Sequence, residues 1–558
     1  MLDRSGVNCY FMNKKLLAVL FVAIGWQTAA AQQPNTRPNI VVIMPDDMGY
    51  TDISAFGAEI RTPNLDELAF SGVRLTNFHS GPTCGPTRAM FMSGMTSVEA
   101  LNSGALKTNV RSLPELLRDA GYHTYVTGKW QNNPLGPIRR LENDAINRGF
   151  EKAYVRDAIV GVHFNAPANA RFGGREMKEN GEDILMRDLP SDFFSTAAFT
   201  DKAIEYIESN RADGRPWFTW LAYTAPHAPL QVPDDWLARY EGVYDVGYDV
   251  LERQRMARAR ELGVIPGNIE PDYVPPSRTV RWETLNDEEK AHSARTMEIY
   301  AAMMENLDFH VGRFVDYLKE SGQFDNTVFI FMSDNGAEDW LEGFYTARMG
   351  LEFDNSLEKL GTAESFPAYG IGWAEAASAP FKWAKGTLTE GGVRVTAFVS
   401  HSSIARKGGL DDDYMTVMDI LPTILELADV EGPGPDYLPV RGKSFWPRLT
   451  GDSGPTHGES EAIPYVTAQA RALVRGEWKL IYDLLRQQEP TEDTKWELFN
   501  LVDDPQEMND LSDEYPEIRQ DLITVWEDFA EAVELNNNRP QDLSPVPPSD
   551  GGMAGNDG

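Results

Sequence analysis

Cysteine is nearly missing from this chain: two residues in 558, Cys9 and Cys84. A chain cleaved after residue 31 would keep Cys84 alone, which excludes a disulfide framework. Membrane-length apolar runs are missing too. The run from Leu16 to Gly25 is too short to cross a bilayer, and no other segment is apolar enough. Positive charge is scarce, with 51 Lys and Arg against 85 Asp and Glu, a formal charge of -34. That balance argues against nucleic acid, whose phosphates would be repelled, and reads as solubility in a salty or extracellular setting. No internal repeat is present.

The N-terminus has the layout of a secretory signal. Lys14 and Lys15 precede the apolar run, and Ala29-Ala30-Ala31 offers a small-x-small cleavage site. Residues 1–31 are therefore expected to be a signal peptide, with Met12 the candidate true start, and the mature protein is expected to be periplasmic or secreted. No cysteine follows the run, so a lipoprotein anchor is not expected, nor is any other membrane attachment. A lone thiol in an exported protein calls for either burial or a chemical task for Cys84.

Apolar patterning gives the fold class. Ile40 to Met44 and Thr327 to Met332 are short runs without alternation, as in strands buried on both faces of a parallel sheet. Thr62-Pro63 opens a helix that Gly72 stops, and Ser112 to Glu115 has capping-box spacing ahead of a helix ended by Gly121. A strand from Tyr122 to Thr127 follows, and a helical stretch covers Arg295 to Leu318. This alternation predicts an α/β fold, a large mainly parallel sheet sandwiched by helices, over 38–440. Over 441–535 the pattern predicts a smaller antiparallel subdomain. Its half-exposed strands are Ala472 to Tyr482 and Trp496 to Leu501, and its helix buries Ile518, Leu522, Val525, Trp526 and Phe529. Residues 536–558, rich in Pro, Gly and Asp, read as a disordered tail.

Chemistry gathers where such strands end. The first strand ends in Asp46-Asp47, the later one in Asp334-Asn335, and the strand from Tyr122 in Lys129. Each alone also suits a turn. Together they offer four hard oxygen donors on one sheet edge, a set for Ca²⁺ or Mg²⁺ rather than zinc. In Cys84-Gly85-Pro86-Thr87-Arg88, a helix starting just after Cys84 puts Arg88 one turn on, pointing the same way. The free N–H groups of that first turn would face an anion. A nucleophile beside a guanidinium and a divalent cation fits attack on a sulfate or phosphate ester.

Cys84 to Arg88 matches the C-x-P-x-R signature of the type I sulfatases of the alkaline phosphatase superfamily, which this chain resembles along essentially its whole mature length. Gly121 to Thr124 through Gly128-Lys129-Trp130, Ser333 to Gly336, and Lys385-Gly386 to Glu390-Gly391-Gly392 are similar to further family motifs. Tyr248 to Arg260, Glu298 to Arg313 and Gly370 to Lys385 look like the bacterial alkyl/aryl-sulfatase branch. The resemblance implies that Cys84 is oxidised to formylglycine by a formylglycine-generating enzyme. It also implies a Ca²⁺ site of Asp46, Asp47, the modified Cys84, Asp334 and Asn335. Arg88 and Lys129 would hold the formylglycine and the sulfate. His227 and Lys385 would contact the sulfate and help protonate the leaving oxygen. The implied reaction is hydrolysis of a sulfate ester, from a sulfated small molecule or carbohydrate, to alcohol and inorganic sulfate. The hydrated aldehyde would attack sulfur, and its second hydroxyl would then release the sulfate.

One position departs from the family: Gln131 stands where most members carry His, two residues after the lysine. Glutamine cannot take up a proton near neutral pH, so the second half-reaction lacks its family base. His163 is a candidate replacement without a placement, and His79 reads as structural support near Cys84. Two other functions remain open. One is a phosphonate or phosphate ester hydrolase of the same superfamily, although no second ordered set of Asp and His metal ligands is evident. The other is a non-catalytic protein that binds sulfated ligands. Residues 161–192 and 338–369 read as pocket-lining loops with room for an aryl, alkyl or carbohydrate sulfate.

Overall fold

A computed structural model describes residues 37–132, 141–157, 163–165, 177–270, 277–343, 346–347, 352–467, 469–483 and 496–535. The expected signal peptide and tail lie outside the described residues.

β-Branched and aromatic runs with no polar face form strands that can only sit inside a sheet covered on both sides. Such runs form the centre of a ten-stranded main sheet whose edge strands are short and partly polar: β1 (Asn39–Asp46), β2 (Val73–Leu75), β3 (His123–Lys129), β4 (Lys152–Arg156), β5 (Met177–Glu179), β6 (Glu182–Ile184), β7 (Trp217–Pro226), β8 (Thr327–Met332), β9 (Ala397–Ser400) and β10 (Gly409–Asp411). Their order across the sheet is β10-β2-β9-β8-β1-β7-β3-β4-β5-β6. The central run β8-β1-β7-β3-β4 is parallel, and antiparallel pairs flank it on both sides. The expected mainly parallel α/β sheet is thus present, with antiparallel margins. All of β1, β7 and β8 is buried. The apolar side chains of β1 alternate between two cores, Val41 and Ile43 in one and Ile40, Val42 and Met44 in the other. Each such side chain contributes about 1.5–3 kcal/mol by burial.

Helices cover both faces. Pro at the first position starts α1 (Pro63–Ser71), which buries Leu65, Leu68 and Ala69. The helix α2 (Cys84–Ser93) begins at the cysteine itself. In α3 (Leu113–Asp119) the Glu115 carboxylate accepts the Ser112 N–H at 2.7 Å, closing the expected N-terminus. The long helix α4 (Asp287–Glu320) starts eight residues before the expected Arg295, because Asn286 and Glu289 form a capping box. Within 161–192, read as a loop, β5 and β6 extend the sheet edge as a hairpin.

The C-terminal region forms a separate antiparallel sheet of β11 (Ala462–Val466), β12 (Ala470–Arg475), β13 (Trp478–Asp483) and β14 (Glu497–Asn500). The stretch expected as one strand, Ala472 to Tyr482, is a hairpin, since Gly476, at φ 58°, turns the chain. The final helix α5 (Pro516–Ala532) buries Leu522, Trp526 and Phe529 against Leu473, Leu480 and Leu498. Lys479 of β13, 1% exposed, reaches out of this sheet. It lies 2.9 Å from Glu390, in the turn that follows Lys385, and 2.8 Å from Glu507. Among the described residues, no helix is long and apolar enough to cross a membrane.

Candidate active site

The carboxyl ends of β1, β3, β7 and β8 deliver the chemistry to one edge, as the strand-end residues predicted. The pairing of β1 with β7 slips between Met44 and Asp46, so the end of β1 departs from the sheet. Asp47 then adopts φ 66°, a left-handed conformation that a short polar side chain tolerates at a cost. Its N–H donates to Asp334 Oδ1 at 3.1 Å, which ties the end of β1 to that of β8. At the end of β3, Gly128 has φ 109°, and a Cβ there would lie 1.7 Å from the Ala222 carbonyl oxygen. Only glycine lets β3 pass β7 there and present Lys129.

Cys84 Sγ lies 3.5 Å from Asp47 Oδ1. Arg88, one turn along α2, donates to Asp334 Oδ2 from Nη2 at 2.8 Å and Nε at 3.2 Å, and from Nη1 to the Lys129 carbonyl at 2.8 Å. Lys129 Nζ donates to both Asp46 oxygens, at 2.9 and 2.7 Å. Lys385 Nζ donates to Asp47 Oδ2 at 2.5 Å. Its loop is held on both sides: Lys385 N–H donates to the Ala337 carbonyl and Gly386 N–H to that of Pro82. His227, just past β7, places Nε2 3.3 Å from Asp47 Oδ2.

The electrostatics follow from burying these charges together. Burial raises the Asp46 carboxyl, but Lys129 and then His227 outweigh it and hold it below the usual range. Asp47 is lowered likewise, against burial, by Lys385 and His227. Asp334 is raised, by burial and the nearby Asp46 charge, despite Arg88. Burial together with Asp334 and Asp47 pushes the Cys84 thiol well up, so as a plain thiol it is a poor nucleophile.

Asp46, Asp47, Cys84 and Asp334 bring their ligand atoms within 4.8 Å of one another. Asn335 Nδ2 donates to Asp47 Oδ1 at 2.7 Å, whereas its buried Oδ1 has no hydrogen-bond partner among the described residues. An orphaned acceptor beside three carboxylates, all oxygen, fits a hard divalent cation. All nine residues singled out from the sequence thus converge. A second group, Asp47, His227 and Glu338, also gathers within ligand range, although no such set was evident in the sequence. Glu338 opens the stretch 338–369 read as a pocket-lining loop but was not singled out, because it belongs to no motif; its nearness to Ser333-Asp334-Asn335-Gly336 was the available signal.

Three other residues resolve differently. His163 is buried behind His227: Nδ1 lies 2.7 Å from Ser195 Oγ and Nε2 3.4 Å from the His227 carbonyl. Burial and Arg156 lower it to about 3, so it does not replace the missing base. His79 pairs with Glu390 at 2.9 Å and stacks on Tyr414, a structural role. Gln131 has φ 46°, and its buried Oε1 has no partner among the described residues.

An α/β sheet whose strand ends combine clustered carboxylates, a buried guanidinium and two ammonium groups defines a hydrolase for anionic esters. The sulfatase family model matches residues 38–430, and the chain belongs to the sulfatase family, the sulfuric ester hydrolases. An uncharacterized sulfatase of Schizosaccharomyces pombe is 38% identical over 532 residues, 89% of this chain and 94% of that protein. An arylsulfatase of Klebsiella aerogenes is 35% identical over 444 residues, 75% of this chain and 92% of its own length. The crystal structure of Ps i-CgsB in complex with k-i-k-neocarrahexaose aligns with a TM-score of 0.65 at 22% identity, over 91% of this chain and 95% of that one. At that identity the likeness speaks for the fold.

Proposed function

We propose that the protein is an exported, calcium-dependent sulfatase that hydrolyses a sulfate ester to alcohol and inorganic sulfate, with Cys84 converted to formylglycine by a separate maturation enzyme. The observation that carries this reading is the meeting of Cys84 with three carboxylates and the orphaned Asn335 Oδ1 at a helix N-terminus. As an aldehyde hydrate the modified residue supplies the nucleophilic oxygen that the raised thiol cannot. Asp46, Asp47, Asp334, Asn335 and the modified residue would hold a calcium ion, which would supply positive charge to offset that of the sulfate. Arg88 and Lys129, anchored to Asp334 and Asp46, orient the nucleophile and the sulfate. Lys385 offsets charge on the sulfate, and His227 gives the departing oxygen its proton. The substrate is a sulfated small molecule or carbohydrate. Export is supported by the basic, apolar and small-residue order of residues 14–31.

The test compares nitrophenyl sulfate with nitrophenyl phosphonate, with and without chelation, alongside mass spectrometry of the Cys84 peptide. The expected result is an aldehyde at residue 84 and chelator-sensitive turnover that favours the sulfate. A thiol at residue 84 in a protein that binds sulfated ligands without turnover, or preference for the phosphonate, would replace this reading.

A further inference from the structure

Glu338 lies outside both the carboxylate cluster around Cys84 and the Arg88–Lys129 pair, yet it is 2% exposed and set among charged groups. Its Oε2 accepts the Ala228 N–H at 3.1 Å. Its Oε1 lies 3.4 Å from His227 Nε2 and 3.8 Å from Lys385 Nζ. A carboxylate this deep is strongly destabilising without compensation, and the Ala228 N–H, His227 and Lys385 are the neighbours that supply it and hold the side chain still.

The ring of His227 is fixed from its other side. Nδ1 lies 2.6 Å from the Ala228 carbonyl oxygen, which only accepts, so Nδ1 carries a hydrogen committed to the backbone. Nε2 is left to face the reaction, and its carboxylate neighbours are Asp47 and Glu338. The same two carboxylates flank Lys385 Nζ. Asp47 has a competing task, because it also belongs to the cluster around Cys84 that fits a cation. Glu338 does not. It is the anchor that stays with His227 and Lys385 however Asp47 is engaged.

We propose that Glu338 is a positioning residue of the hydrolytic site, whose carboxylate aims His227 Nε2 and Lys385 Nζ at the leaving oxygen of the ester. The inference rests on the sulfatase reading above. His227 and Lys385 touch the substrate, and Glu338 acts through them. The competing use of these side chains is a second cation on Asp47, His227 and Glu338. Such a cation would have to share Asp47 with the cluster around Cys84, and the metal count per chain decides between the two uses.

Glu338→Gln keeps the size and an acceptor for the Ala228 N–H but removes the charge. Wild type and variant, matched for conversion of Cys84 and loaded with calcium, are assayed on 4-nitrophenyl sulfate and on phenyl sulfate, with metal counted per chain. Help for the leaving oxygen matters more as the leaving group worsens. The loss in kcat is therefore expected to be about tenfold larger on phenyl sulfate, with KM moved less than about threefold on either and metal content unchanged. Glu338→Asp, which keeps the charge one methylene shorter, is expected to show a smaller split. Should Glu338→Gln not fold, the split is read on Glu338→Asp. Equal losses on the two esters, or one metal ion fewer per chain in the variant, would overturn the proposal alone. No turnover of either ester by the wild type would remove the sulfatase reading and this inference together.

Discussion

Replacing Arg88 by Met should lower stability and turnover while tightening calcium binding. Arg88 is wholly buried and makes two hydrogen bonds to Asp334 Oδ2, one to the Lys129 carbonyl, and a 3.6 Å contact with Asp46. A charge pair at about 4 Å in a protein environment interacts by roughly 4 kcal/mol, and breaking a buried pair from one side typically costs about 3–5 kcal/mol. The metal-free variant should therefore lose about that much stability in denaturant unfolding. A cation drawn to Asp46 and Asp334 competes with the guanidinium for the same carboxylates, so its removal should tighten calcium binding. If a third of the lost pair energy is recovered, about 1.4 kcal/mol, affinity rises about tenfold. Turnover should fall by about 10²–10³, because the anion loses a preorganised donor. Calorimetric titration with calcium and a nitrophenyl sulfate assay read the two effects. Unchanged or weaker calcium affinity in Arg88→Met would refute the reasoning, since it would place the cation on other groups.

Cys84→Ala should abolish turnover and leave the unfolding midpoint nearly unchanged; multiple turnovers by the clean variant would end the formylglycine reading. Asp334→Asn should lower calcium content and activity together, checked by elemental analysis after dialysis, and full activity after exhaustive chelation would count against the site. With Gln131 in place of a base, an activated aryl sulfate should show a burst of alcohol before a slower steady state. Gln131→His should shrink that burst, and no burst in the wild type together with loss of activity in Gln131→His would make Gln131 a substrate contact. Burial, with Glu375 and Asp249 nearby, pushes the Glu252 carboxyl up to about 8. The folded state then binds this proton more tightly than the unfolded chain, so the stability it contributes is present below its ordinary 4.5 and is lost as pH rises through about 8. Glu252→Gln should therefore stabilise the protein at about pH 9 and change little near pH 4.5, as read by unfolding curves at the two values.

The strands that hold the site were legible where burial on both faces removes every polar residue, as in Ile40 to Met44 and Thr327 to Met332. β7 was not, although it lies beside β1 and delivers His227. Its Trp, Thr and Ala residues make neither a β-branched run nor an alternation, and sheet pairing on both sides is what makes it a strand. The clustered carboxylates could be read because they punctuate strand ends. Glu338 offered only its nearness to Ser333-Asp334-Asn335-Gly336, because it is the folding of β7 beside β1 and β8 that carries Ala228 and His227 to it. The hairpin at Gly476 and the capping box at Asn286 had local signals that the apolar patterning overrode.

Lys479 gives the small C-terminal sheet a consequence for how this gene can be cut. The composition changes near residue 440, an inviting place to truncate or to fuse another module. A chain ended there would strip Glu390 of the ammonium that lies 2.9 Å away, and of the Glu507 side chain that accepts its backbone N–H. Glu390 is wholly buried and shares a turn with Gly391, whose N–H ties it to Lys382 three residues before Lys385. His79 at 2.9 Å and Arg394 at 3.6 Å would remain, but breaking a buried ion pair from one side typically costs about 3–5 kcal/mol, here at the rim of the site. The small sheet and the segment carrying Glu507 are thus a keystone rather than an appendage, and a minimal enzyme has to include them.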